Sequence, residues 1–69
     1  MPESVYKIVE LVGTSNESWE RAANAAIDLA TKSLRDLRIA EVTQLDVHID
    51  GKKRVYRAKV RLSFKYEGE

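Results

Sequence analysis

Oxygen-bearing side chains carry whatever chemistry this chain has to offer. It contains no cysteine, and His48 is its one histidine. Disulfides and thiolate metal sites are therefore excluded, and a single imidazole does not build a zinc centre. Carboxylates remain. Asp46 and Asp50 fall in a β-rich run, and Glu17 and Glu20 fall at the start of a helical one. Calcium takes six or more oxygens, and the sequence has no EF-hand loop. A cation site here needs carboxylates from several segments or several copies of the chain. Ser18, Ser33 and Ser63 lack a nucleophile-elbow context, no glycine-rich phosphate loop is present, and His48 has no evident base or nucleophile partner. The residues point away from an enzyme.

The cations are patterned more clearly. Arg57, Lys59, Arg61 and Lys65 alternate along one run, and Lys52, Lys53 and Arg54 precede it. Such a stripe suits either a nucleic acid or a solvated sheet face neutralised by Glu10, Glu41 and Asp46. The net charge of +1 favours the second, so no nucleic acid is expected as a partner. Gly13-Thr14-Ser15-Asn16 reads as a turn into a helix. It is expected to act as a cap rather than as an anion site.

These groups must be held by a scaffold, and its centre is a helix expected over Ser15–Arg38. Trp19, Ala22, Ala23, Ala26, Ile27, Ala30, Ser33, Leu34 and Leu37 recur at helical spacing and form one apolar stripe. Ser15 is the expected N-cap. Trp19 is expected to anchor the core. Val5–Val12 reads as a strand with apolar residues on both faces, Tyr6, Ile8 and Val12 on one and Val5, Val9 and Leu11 on the other. Ile39–Ile49 reads as a second strand whose apolar positions change phase midway, the mark of a bulge. Asp50-Gly51 signals a hairpin turn. Arg54–Tyr66 alternates without a break and is the clearest strand.

The order is β-α-β-β, with the last two strands paired as a hairpin and the first expected beside the third. One helix covers one face of such a sheet. The apolar residues left on the other face require another cover, which argues for an oligomer. A chain of 69 residues forms one domain, over residues 1–69, and buries only about 60% of its unfolded surface. An oxygen-ligated metal or partner subunits are the available supplement. No run is long and apolar enough for a membrane, and a soluble cytoplasmic protein is expected.

The runs Glu10-Leu11-Val12-Gly13-Thr14-Ser15, Ser18-Trp19-Glu20 and Leu34-Arg35, then Glu41-Val42 and a closing Val55–Phe64, resemble the dodecin family. The likeness covers about Val5 to Phe64. It implies a small non-enzymatic α+β protein whose three-stranded antiparallel sheet wraps one long helix, assembled as a hollow homododecamer of cubic symmetry. It also implies flavins (riboflavin, FMN or FAD) bound in pairs between two-fold-related subunits. In the family a Trp in the context Trp-x-Glu-Val stacks on the flavin ring, and a Gln in the context Tyr-Gln bonds its polar edge. Those positions are Ile39 and Arg57 here, with Gln44 as a third position of the same site. Ile39 has no π-face, and stacking contributes about 1 kcal/mol beyond burial. Arg57 donates only, so it does not reproduce an amide's donor–acceptor pairing. Trp19 matches a separate aromatic of the family and does not substitute for the missing one.

The run Arg38-Ile39-Ala40-Glu41-Val42, with Gln44, Asp46 and Tyr56-Arg57, is similar to a branch lacking the stacking Trp and described as calcium-binding. The candidate cation ligands are Asp46 and Glu17, carboxylates at positions that the family's architecture places near subunit contacts. The expectation is a dodecameric shell that binds, stores or buffers a small ligand or cation. Ca2+ comes first, flavin second, and a structural or nucleic-acid-associated module third.

Overall fold

The computed structural model describes residues 3–66. They run as strand β1 (Tyr6–Ser15), helix α1 (Trp19–Ser33), strand β2 (Leu37–Asp50) and strand β3 (Lys53–Lys65). The sheet order is β1-β3-β2, and both pairings are antiparallel. The expected hairpin and the expected neighbour of β1 are both present. Gly51 makes the hairpin turn with φ 63°, a left-handed conformation that glycine adopts without a Cβ penalty.

The helix is shorter than the apolar spacing suggests. Ser18, not Ser15, is the N-cap: its backbone is extended and its Oγ accepts the Arg21 amide at 3.0 Å. Gly13, Thr14 and Ser15 remain in β1, because ladder pairing continues to Ser15 opposite Tyr56. Ser15 Oγ instead accepts the Glu17 amide at 3.0 Å and shapes the short link. At the other end the chain turns extended at Leu34, and Asp36 adopts φ 55°. Leu34 and Leu37 leave the helix yet still pack against the core. Arg35 and Arg38 lie beyond the last turn, where Lys32 is the base facing the helix dipole.

β2 carries two irregularities against β3, one between Leu37 and Ile39 and one between Val42 and Gln44. The second is the change of phase seen in the sequence. Thr43 is the extra residue there, and its Oγ1 donates to the Lys59 carbonyl at 3.3 Å. The helix-side residues are therefore Ala40 and Val42 before the bulge and Leu45, Val47 and Ile49 after it.

The core is small. Ala22, Ala23, Ala26 and Ala30 of α1 meet Ala58, Val60 and Leu62 of β3, with Leu11 and Ile27 packed at its edge. Alanines on the buried stripe let the helix axis come close to the sheet, and alanine is the strongest helix former. The nearest approach is at Gly13. A Cβ there would run into the Ala22 carbonyl and would stand 3.2 Å from the Ala26 amide nitrogen. Both neighbours are helix backbone, so neither gives way cheaply.

The helix lies over β1 and β3 and leaves much of the helix-side face of β2 open. Val42, Leu45 and Ile49 are 46%, 50% and 68% exposed. Beyond Ser15 the β2–β3 hairpin continues without β1 for three further residue pairs, His48–Val55, Ile49–Arg54 and Asp50–Lys53. The radius of gyration is 14.3 Å, against about 11 Å for a compact chain of this size. A two-stranded ribbon is marginal alone in water.

Gly13→Ala is expected to destabilise the chain by about 1–3 kcal/mol through overpacking, measured by chemical denaturation. A change within experimental error would show that α1 does not depend on this close approach.

Candidate functional site

The face of the sheet turned away from α1 is a set of cross-strand rows built on β3. Arg57 stands between Thr14 and Asp46, Lys59 between Val12 and Gln44, Arg61 between Glu10 and Glu41, and Ser63 between Ile8 and Ile39. Antiparallel register places these side chains opposite one another, so each row acts as a unit.

Two rows pair their own charges. Arg57 Nε donates to Asp46 Oδ1 at 2.7 Å and Arg57 Nη2 to Asp46 Oδ2 at 2.9 Å. This is the bidentate fork that guanidinium and carboxylate form best. Arg61 Nε and Nη2 reach Glu10 Oε2 at 3.3 and 3.2 Å, and Arg61 Nη1 lies 4.0 Å from Glu41 Oε1. The basic stripe is thus a solvated face balanced by Glu10, Glu41 and Asp46, as the near-zero charge implied.

Three of the five candidate residues come together. Gln44, Asp46 and Arg57 line one shallow concavity with Val12 and Lys59. Ile39 shares the face but stands opposite Ser63, six residues along β3 from Arg57, roughly 20 Å away. It is 60% exposed. Glu17 lies in the link before α1 and is engaged by Arg21 Nε at 3.2 Å. Among the described residues no three acids or histidines of one chain converge on a point where an ion could sit.

Trp19 holds the start of α1 to the sheet beside this site. Its Nε1 donates to the Asp46 carbonyl at 2.9 Å, and its ring meets Tyr56 edge-on at 5.1 Å and 70°. The backbone of Asp46 is therefore fixed from the helix side while its carboxylate is held by Arg57 on the other. Trp19 is thus not the core anchor expected from the sequence: it is 39% exposed, lies outside the buried cluster, and pins the helix start to the sheet instead. The Arg57–Asp46 pair went unseen in the sequence, although the turn marks it: four positions back from either end of the turn, Asp46 faces Arg57.

The Arg57 fork holds the Asp46 carboxyl below its ordinary value, desolvation opposes this, and the charges of Arg57 and Lys59 add to the lowering. The same fork raises Arg57. A carboxyl depressed on folding stabilises the protein above its unfolded pKa of about 3.9, and that stabilisation is lost as pH falls through the lower folded value. Asp46→Asn is accordingly expected to be less stable than the parent at pH 7, with the gap closing as the pH drops below the folded pKa. Denaturation series at both extremes measure it, and a gap independent of pH would show that the pair does not couple to folding.

The fold has close counterparts among known proteins. The dodecin family model matches residues 5–67. The calcium dodecin of Mycobacterium tuberculosis is 43% identical over 63 residues, spanning 90% of this chain and 89% of that one. Its crystal structure, described as that of a calcium-chelating antigen with a novel calcium-binding site, superposes with a TM-score of 0.86 at 42% identity, covering 96% of each chain. The dodecin from Streptomyces coelicolor superposes with a TM-score of 0.91 at 30% identity, covering 100% of each. With a family model over nearly its full length and the same β-α-β-β subunit in both solved relatives, this chain belongs to the dodecin family.

Proposed function

We propose that copies of this chain form a closed twelve-subunit shell that binds a small ligand without transforming it, and that the ligand is Ca2+. The observation that carries the reading is the Arg57–Asp46 fork. Arg57 occupies the position where flavin-binding relatives are expected to present an amide, and its donors are turned to Asp46 rather than to a ring edge. Ile39, at the stacking position, offers no aromatic face. The site has therefore exchanged flavin-recognising groups for a carboxylate set on rigid backbone. The likeness to a relative named calcium dodecin supports the same direction.

Asp46 and Glu17 supply hard oxygen donors of the type Ca2+ takes, but two carboxylates give at most four oxygens and the ion needs six or more. The remaining ligands come from other copies, backbone carbonyls or water. Each acid is held by an arginine within its own chain. Cation binding is then an exchange in which the ion displaces a guanidinium.

Titration calorimetry on the assembled protein tests this. Ca2+ is expected to bind, Asp46→Asn to weaken it at least tenfold, and Arg57→Gln to strengthen it by removing the competing cation. No binding of any divalent cation would remove the calcium reading. A light-scattering mass near the 7.9 kDa of one chain would remove the shell.

A second reading, flavin storage, is favoured by one feature. Gln44 beside Arg57 retains an amide with both donor and acceptor, next to apolar Val12. On this reading FMN fluorescence is quenched with about one flavin per subunit, and Ile39→Trp with Arg57→Gln tightens binding. Unquenched FMN, with no gain from the double change, excludes it.

A further inference from the structure

Of the three bases Arg57, Lys59 and Arg61 on the outer sheet face, only Lys59 is unmatched in its own row. Arg57 faces Asp46, and Arg61 faces Glu10 and Glu41, but Lys59 stands between Val12 and Gln44. Among the described residues Lys59 makes no ion pair within the chain. It lines the same concavity as Arg57, Asp46 and Gln44, a space of about 120 Å3. Arg57 and Lys59 are two residues apart on β3, so both project from one face, about 7 Å apart along the strand.

These groups are the ones that bind an oxyanion. A guanidinium takes two oxygens of one anion through its fork. An ammonium adds a point charge with three donors, and the Gln44 amide has an NH2 group to donate. One anionic group is already present: the Asp46 carboxylate fills the Arg57 fork at 2.7 and 2.9 Å, and the charge of Lys59 falls on it too. We infer that Arg57, Lys59 and Gln44 form a site for a small tetrahedral oxyanion, and that Asp46 keeps this site shut as an occupant supplied by the chain itself. Size selects inorganic sulfate or phosphate, because pockets for organic ligands run to about 300–1,000 Å3.

The opening of the site rests on the calcium reading and deepens it. A divalent ion taken by Asp46 displaces Arg57 and leaves two bases at the concavity with no carboxylate free to answer them. An oxyanion between the two relieves their repulsion. The cation therefore favours the anion, and by reciprocity the anion favours the cation by the same factor. A protein built this way loads a salt rather than a bare ion.

Equilibrium dialysis against radiolabelled sulfate, with chloride holding the ionic strength constant, tests the site without calcium. Asp46→Asn is expected to bind sulfate at least tenfold more tightly than the parent, and adding Lys59→Gln is expected to abolish the gain. Glu41→Gln changes the net charge by the same amount on the same face while Glu10 still holds Arg61, and it is expected to gain no site. An Asp46→Asn protein that binds sulfate no better than the parent, or no better than Glu41→Gln, overturns the inference. The unaltered protein gives a second arm. Ca2+, read as the free ion with a calcium electrode, is expected to bind at least fivefold more tightly in saturating sulfate than in chloride. Ca2+ that binds equally in both overturns the coupling. Ca2+ that binds in neither fails the calcium reading itself, and the first arm, which uses no calcium, still decides the site.

Discussion

The backbone contact between Gly13 and the second turn of α1 sets the geometry of the molecule. Strand and helix meet there with no side chain between them, and the alanine stripe continues the close approach along β3. A helix held this near the β1–β3 edge does not also cover β2. The open groove beside β2, the exposed Val42 and Leu45, and the small size of the core all follow from that placement. The molecule has traded burial within one chain for shape.

The sheet's two faces divide the work. The helix side holds nearly all the buried apolar surface, and Trp19 closes its end by binding the Asp46 carbonyl. The outer side holds charge arranged in rows that largely cancel, with Lys59 between the uncharged Val12 and Gln44. Asp46 belongs to both arrangements, since its carbonyl serves the helix anchor and its carboxylate serves the outer face. A change in how α1 sits is thereby felt at the position with the most strongly held carboxylate.

Most of the architecture was legible in the sequence because it depends on local pattern. The unbroken alternation of Arg54–Tyr66 marked β3 and its inward face, and Asp50-Gly51 marked the hairpin. The broken alternation near Thr43 marked the bulge. The helix ends were misplaced, since Leu34 and Leu37 keep the apolar spacing while belonging to the link and to β2. Burial continues past the point where helical hydrogen bonding stops, and spacing registers only the burial. At the site, residue types were readable but pairings were not. Arg57 and Asp46 were each singled out for different chemistry, and only register shows that they hold each other. What reaches them from another copy depends on surfaces that no single-chain pattern encodes.

The extra residue at Thr43 bears on how this chain can vary. β2 is two short strands in opposite phase, and Ile39 and Asp46 share the outer face only because one residue is spent between them. Nearly every side chain in that interval is exposed, and exposure ordinarily goes with tolerance of change. Here the tolerance extends to identity and not to pairing. If the same residues paired without the bulge, everything after it would turn over, sending Asp46 toward the helix and Leu45, Val47 and Ile49 outward. The segment is as constrained in its register as a core strand is in its composition.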